Sequence, residues 1–214
     1  RDQGRRRRPR RVRRQGAPAA DRGHGEERLA ALGFNDPRSA MGHIGALTSG
    51  VSRRAAIQKS LLPAMLAWFA ESPNPDLALL SFRQLSEELG DSPWYLRKLR
   101  DEGTGAQQLA RMLSASQYVT GLIRRAPDSV ALLGDEDALV PRELNRLDTE
   151  MELAAARHRI PDGAILAIRR IRRRELSRVA MADVLGRLDV VEVGEALSAI
   201  NTANAASRCA SAKL

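Results

Sequence analysis

The 214-residue sequence contains a single cysteine, Cys209, so no disulfide can form within the chain. That fits a cytoplasmic setting. Aromatic residues make up only 3% of the chain, against 43% hydrophobic residues in all. The core must therefore be built mainly from Leu, Ala, Ile and Val, a composition that favours helix over sheet. No apolar run approaches the roughly 18 residues that a membrane span requires. The charged N-terminus is not followed by an apolar stretch and does not read as a signal peptide. His24, His43 and His158 are scattered without an i, i+4 partner, and with one cysteine they offer no zinc spacing. No segment alternates apolar and polar residues with period two, so no strand is expected, and no fixed-length repeat is present.

Positive charge is abundant but unevenly placed. Residues 1–28 hold eleven arginines against Asp2, Asp21, Glu26 and Glu27, a net +7 out of the chain's +9. Residues 1–25 are nearly devoid of large apolar side chains and are expected to be a disordered Arg-rich arm. Such an arm can bind nucleic acid through phosphate contacts. No aromatic residue interleaves its arginines to stack on bases, so a solvated tail is the plainer reading.

Helical patterns begin near Glu26. EERLAALGF reads as a short helix ended by Gly33, and Asn35 or Asp36 can cap the next, with Pro37 at its first position. Ser52 caps a longer run in which Leu61, Leu62, Met65, Leu66 and Phe69 recur at helical spacing. Pro63 lies inside that run and is expected to kink or divide it. Asn74-Pro75 and Ser92-Pro93 start two further helices, the first ended by Gly90 in the position after the cap. A break is expected near 114–116, and a short turn of helix from Pro127 to Leu133. A long helix should follow from Pro141 to about Arg159, and Pro161-Asp162-Gly163 reads as a break. An Arg-rich helix follows, then a last one from about Val191 to Ile200, beyond which periodicity disappears. The expected fold is all-α, a bundle-like array of about six to nine helices joined by short turns. The expected divisions are a helical domain at 26–160, a helical lead-in at 161–200 and a frayed tail at 201–214. Trp68, Phe69, Phe82, Trp94 and Leu96 are the expected core anchors.

Little of the chain suggests chemistry. Nucleotidyl transfer requires paired carboxylates for divalent metal beside a glycine-rich turn. Asp135-Glu136-Asp137 after Gly134 is the nearest approach, but it lacks a second small residue before it and β-rich flanks, and reads as an interhelical loop. The RGHG at 22–25 and the Ser49-Gly50-Val51-Ser52 turn follow no strand and are neither a phosphate loop nor a nucleophile elbow. No catalytic, cofactor-binding or metal-binding residue is assigned. Trp94 and Tyr95 are read as core rather than as a base-stacking pair. Arg169, Arg170, Arg172, Arg173 and Arg174 cannot share one helical face at 100° per residue, and Glu175 can pair with Arg172 or Arg178. Part of this run is a candidate docking surface for a partner or a neighbouring domain; the remainder reads as a solvated face.

Three segments carry a resemblance. They are TSGVSRRAAIQKSLLPAMLAWFAESPNPD at 48–76, LSFRQLSEELGDSPWYLRKLRDEG at 80–103 and RRIRRRELSRVAMADVLGRLDVVEVGEALSAI at 169–200. Together they resemble the bacterial glutamine synthetase adenylyltransferase/adenylyl-removing enzymes, in particular the actinobacterial form, over about residues 28–200. The region is similar to the helical domain shared with PII uridylyltransferases. The resemblance implies an enzyme that moves AMP between ATP and a tyrosine of glutamine synthetase, using Mg²⁺ and responding to the PII signalling protein and glutamine. It places this chain between two nucleotidyltransferase halves, as a gene fragment without a catalytic core. The chain alone is accordingly expected to be inactive. The alternatives are a stand-alone helical interaction module and a nucleic-acid-binding protein that uses its arm.

Overall fold

The computed structural model describes residues 19–101 and 103–211, and among them every regular element is helical. Residues 1–18 of the arm, and with them the nucleic-acid reading, lie outside the described residues. The described residues form ten α-helices: α1 (Ala19–Ala31), α2 (Pro37–Thr48), α3 (Arg53–Ala70), α4 (Pro75–Leu89), α5 (Pro93–Asp101), α6 (Gly103–Ala115), α7 (Gln117–Arg125), α8 (Leu144–Ala156), α9 (Pro161–Val184) and α10 (Val190–Ser211). Two 3₁₀ turns, Pro127–Leu132 and Asp137–Leu139, lie between α7 and α8. None of these helices is long and apolar enough to cross a membrane.

Local chemistry sets the helix starts. Free backbone N–H groups at a helix N-terminus need acceptors, and short polar side chains supply them. Asp36 accepts from Ser39 N at 3.0 Å, Ser52 from Ala55 N at 3.2 Å, Asn74 from Leu77 N at 3.0 Å and Ser116 from Tyr118 N at 3.2 Å. Asp76, in the first turn of α4, accepts from Asn35 N at 2.7 Å and Asp36 N at 3.2 Å, which ties the start of α2 to the start of α4. Gly33 takes φ 90 just past α1, where a residue with a Cβ would be strained.

Several expectations are corrected. Helix begins at Ala19, ahead of Glu26. α3 runs undivided through Pro63, whose side chain is exposed. Gly90 does not take the left-handed conformation; its φ is −61. Pro141 does not open a helix. Residues 140–143 stay irregular and α8 starts at Leu144, because Arg142 is drawn from this segment onto Glu150 of α8 and Glu175 of α9. Pro161 occupies the first position of α9, where its missing N–H costs nothing. The chain past Ile200 does not fray: α10 continues to Ser211, with Ala203 and Ser207 buried.

Two apolar clusters form the core. The larger gathers residues of α1 to α7 and the turns, with Phe69 and Phe82 in contact at 6.1 Å between ring centroids. The second joins Leu147, Met151 and Ala155 of α8 to Ile168 and Ile171 of α9 and to Ala196, Ile200 and Ala203 of α10. α8 therefore packs with α9 and α10, on the far side of the border expected at 160. α9 serves both clusters: Ile168 and Ile171 lie in the second, Met181 and Ala182 in the first.

Among the expected anchors, Phe69 and Phe82 are wholly buried, whereas Trp68, Trp94 and Leu96 are half-buried against the larger cluster. The buried aromatic of α5 is Tyr95, whose hydroxyl lies 2.9 Å from Ser86 Oγ. Burial pushes the Tyr95 phenol well above its ordinary value.

Candidate functional site

On α9, Ile168, Ile171 and Val179 mark the buried face, and Glu175 falls on the same stripe. Its carboxylate is 1% exposed. A buried charge is tolerated only with compensating partners. Arg178, one turn on, donates from Nε to Glu175 Oε2 at 2.9 Å and is itself only 5% exposed. Arg174 donates from Nε to Glu175 Oε1 at 3.0 Å. Arg142 approaches Oε1 to 3.9 Å. A second carboxylate, Glu150 of α8, accepts from Arg174 Nη2 at 2.7 Å and also from Arg142. The far end of Arg178 donates to the carbonyl of Ala138 in the second 3₁₀ turn.

Three arginines and two glutamates thus join α8, α9 and the irregular segment between the two clusters. Desolvation is the largest single effect on Glu150 and pushes its carboxyl up. The bonds and charges of Arg174 and Arg142 together outweigh it and leave the pKa below the ordinary Glu value. Desolvation likewise pulls Arg174 down, but Glu150 and Glu175 hold it above the ordinary Arg value. Each of these two groups thus favours its charged form.

The five candidate arginines of α9 are placed differently from one another. Arg174 belongs to the network. Arg170 meets Asp128 at 3.2 Å in an exposed pair, and Arg172 meets Asn201 of α10 at 3.4 Å. Arg169 and Arg173, one turn apart, are exposed and have no carboxylate partner among the described residues. Glu175 pairs with Arg178, as its i+3 spacing allows, and not with Arg172. Sequence reading missed Arg142 and Glu150, which lie far from Glu175 in the chain. The available signal was a carboxylate in register with Ile168, Ile171 and Val179, which demands cations from somewhere.

The acidic triplet performs structural work. Asp135 Oδ1 accepts from Ala138 N at 3.2 Å, and Glu136 pairs with Arg187. Among the described residues no group of three or more His, Cys, Asp or Glu could hold a metal ion. His43 lies 3.3 Å from Arg83, whereas the His158 ring packs over Gly163.

Grooves flank the network, among them one of about 570 Å³ over Arg142 and Arg178. Another, of about 620 Å³, runs between residues 136–144 and the start of α10, with carboxylates from Glu136, Asp137, Glu143, Glu192 and Glu195. A third, of about 640 Å³, lies between α8 and α9 and is lined by Arg146, Arg157 and Arg170.

The described residues thus form an all-helical array held together by a buried ion network. The family model of the glutamate-ammonia ligase adenylyltransferases matches residues 106–212, and the chain belongs to that family. It is 49% identical over 175 residues to the bifunctional glutamine synthetase adenylyltransferase/adenylyl-removing enzyme of Leifsonia xyli subsp. xyli, covering 82% of this chain and 17% of that one. The protein of the same description from Streptomyces coelicolor is 53% identical over 162 residues, covering 75% and 16%. That from Cutibacterium acnes is 50% identical over 171 residues, covering 80% and 17%. The chain thus spans about one sixth of the length of these curated relatives. No solved structure matches it.

Proposed function

We propose that this chain is a helical scaffold of a glutamine synthetase adenylyltransferase/adenylyl-removing enzyme, a part that positions catalytic domains without performing the chemistry. The observation that carries this reading is the identity of about half over 75–82% of the chain to actinobacterial enzymes of that description. In the whole enzyme, AMP passes between ATP and a tyrosine of glutamine synthetase, with ATP and Mg²⁺ held outside the residues described here. Glutamine synthetase and the PII signalling protein are the partners of that enzyme, in the cytoplasm.

α9 is the strut of the scaffold. It contributes to both apolar clusters, and the Glu175 network fixes its rotation against α8. Arg169 and Arg173 remain free on its outer face for bidentate contacts with carboxylates of a neighbouring domain or partner. The test reverses both charges at the matching positions of the full-length Streptomyces coelicolor relative and follows adenylylation rate against salt. Reversal should slow the reaction most at low salt, where screening is weakest. Unchanged rates at low salt would leave both arginines merely solvated.

A further inference from the structure

The groove between α8 and α9 has an apolar floor and a basic rim. Ala154, Ala167 and Ile171 line it, and Leu153 stands at its edge with 59% of its surface exposed. The small alanines leave depth for a large apolar side chain. Arg146 of α8 and Arg157, the residue that caps its C-terminal end, rim the groove, and neither has a carboxylate partner among the described residues. Arg170 rims it from α9, and its pair with Asp128 is exposed on both sides and correspondingly weak. The single carboxylate of the groove, Glu150, has its two oxygens taken by Arg142 and Arg174. The groove is thus positive, and its own acid cannot neutralise the rim.

We propose that this groove docks an acidic amphipathic helix of a partner protein, with a leucine-like side chain seated on Ala154 and Ile171 and carboxylates reaching Arg146, Arg157 and Arg170. Arg146 in the first turn of α8 and Arg157 at its C-cap are eleven positions apart, about 16 Å along the axis, so the occupant must offer acidic groups about three turns apart. The apolar floor favours a protein segment over a free anion, which would leave Leu153 in water. No aromatic residue lines the groove to stack a base, which disfavours single-stranded nucleic acid. The proposal stands on the groove alone and not on the enzyme family.

The test uses the whole chain and a fluorescein-labelled synthetic helix of about 18 residues, long enough to hold helical structure, with Leu along one stripe and Glu beside it. Fluorescence anisotropy should show saturable binding. Replacing every Glu by Gln, or every Leu by Ala, should weaken it by about tenfold or more each. The Arg146→Glu/Arg157→Glu double variant should lose a similar factor, and Leu153→Ser a smaller one. The Arg124→Glu/Arg125→Glu double variant, equal in charge but on α7, should bind within about twofold of the unaltered chain. No binding of the Glu/Leu peptide would overturn the proposal. So would equal binding of the Leu-to-Ala peptide, tighter binding of an oligo-dT strand, or binding that survives the Arg146/Arg157 reversal and so resides in the arginines of residues 1–14.

Discussion

Glu175 Oε2 accepts a hydrogen bond from Arg178 Nε at 2.9 Å, with the two side chains 1% and 5% exposed. Removing one member of a buried pair strands the other charge away from water. Glu175→Gln should therefore cost about 3–5 kcal/mol in urea unfolding. Arg170→Ala, which breaks only the exposed pair with Asp128, should cost under about 1 kcal/mol. Similar losses for the two variants would mean that Glu175 is hydrated in solution.

Tyr95 and Ser86 give a second prediction. Their hydroxyls lie 2.9 Å apart in the larger cluster, and Tyr95→Phe leaves Ser86 Oγ buried without that partner. The expected loss is about 1–3 kcal/mol. Trp94→Ala, at a half-buried neighbour, should fall short of the roughly 3–5 kcal/mol that truncating a fully packed tryptophan costs. Thermal unfolding of both variants, compared with the parent chain, checks the pair.

Gly90 is required for space and not for its dihedral angles. A Cβ there would lie 2.3 Å from the Ser86 carbonyl oxygen and 2.5 Å from Arg54 Cδ, although φ is an ordinary −61. Gly90→Ala should destabilise by about 1–3 kcal/mol through forced displacement of the end of α4. A neutral or stabilising effect in the same unfolding assay would show that α4 and Arg54 yield without cost.

Stability should depend on pH in two windows. Arg83 can only donate, so His43 Nδ1 accepts across the 3.3 Å contact. Desolvation, then the Arg83 charge, holds His43 below its ordinary 6.5, against weaker opposing effects from Glu87, Asp36 and Asp76. The unfolded chain thus takes up this proton first. The His43 contribution is complete above pH 6.5 and is lost as pH falls through the lower folded value. Glu150 behaves alike at lower pH: its contribution is full above 4.5 and is lost as pH falls through its depressed folded value. His43→Gln should flatten the upper decline alone, as read by denaturant midpoints against pH.

Three helix starts were legible because a cap is local: Asp36, Ser52 and Asn74 sit within three residues of the N–H groups they satisfy. The end of α10 was not legible, because its buried stripe past Ile200 consists of Ala203 and Ser207, residues too small or polar to raise a hydropathy signal. Nor could sequence separate Trp94 from Tyr95, adjacent on one helix and differing only in which points inward. The ion network was half legible. The i, i+3 spacing gives Glu175 to Arg178, but Arg142 and Glu150 arrive by tertiary packing of α8 on α9. Arg169 and Arg173 were named with their neighbours, and only packing sets them apart as free.

The central claim is that these helices support adenylyl transfer without performing it, and transfer of label from [α-³²P]ATP to glutamine synthetase in the presence of Mg²⁺ tests it most directly. The full-length Streptomyces coelicolor relative should label glutamine synthetase, whereas this chain should give no label above a no-protein control. Label transferred by this chain, and abolished by Asp135→Asn or Asp137→Asn, would contradict the account and make the loop after Gly134 a catalytic site.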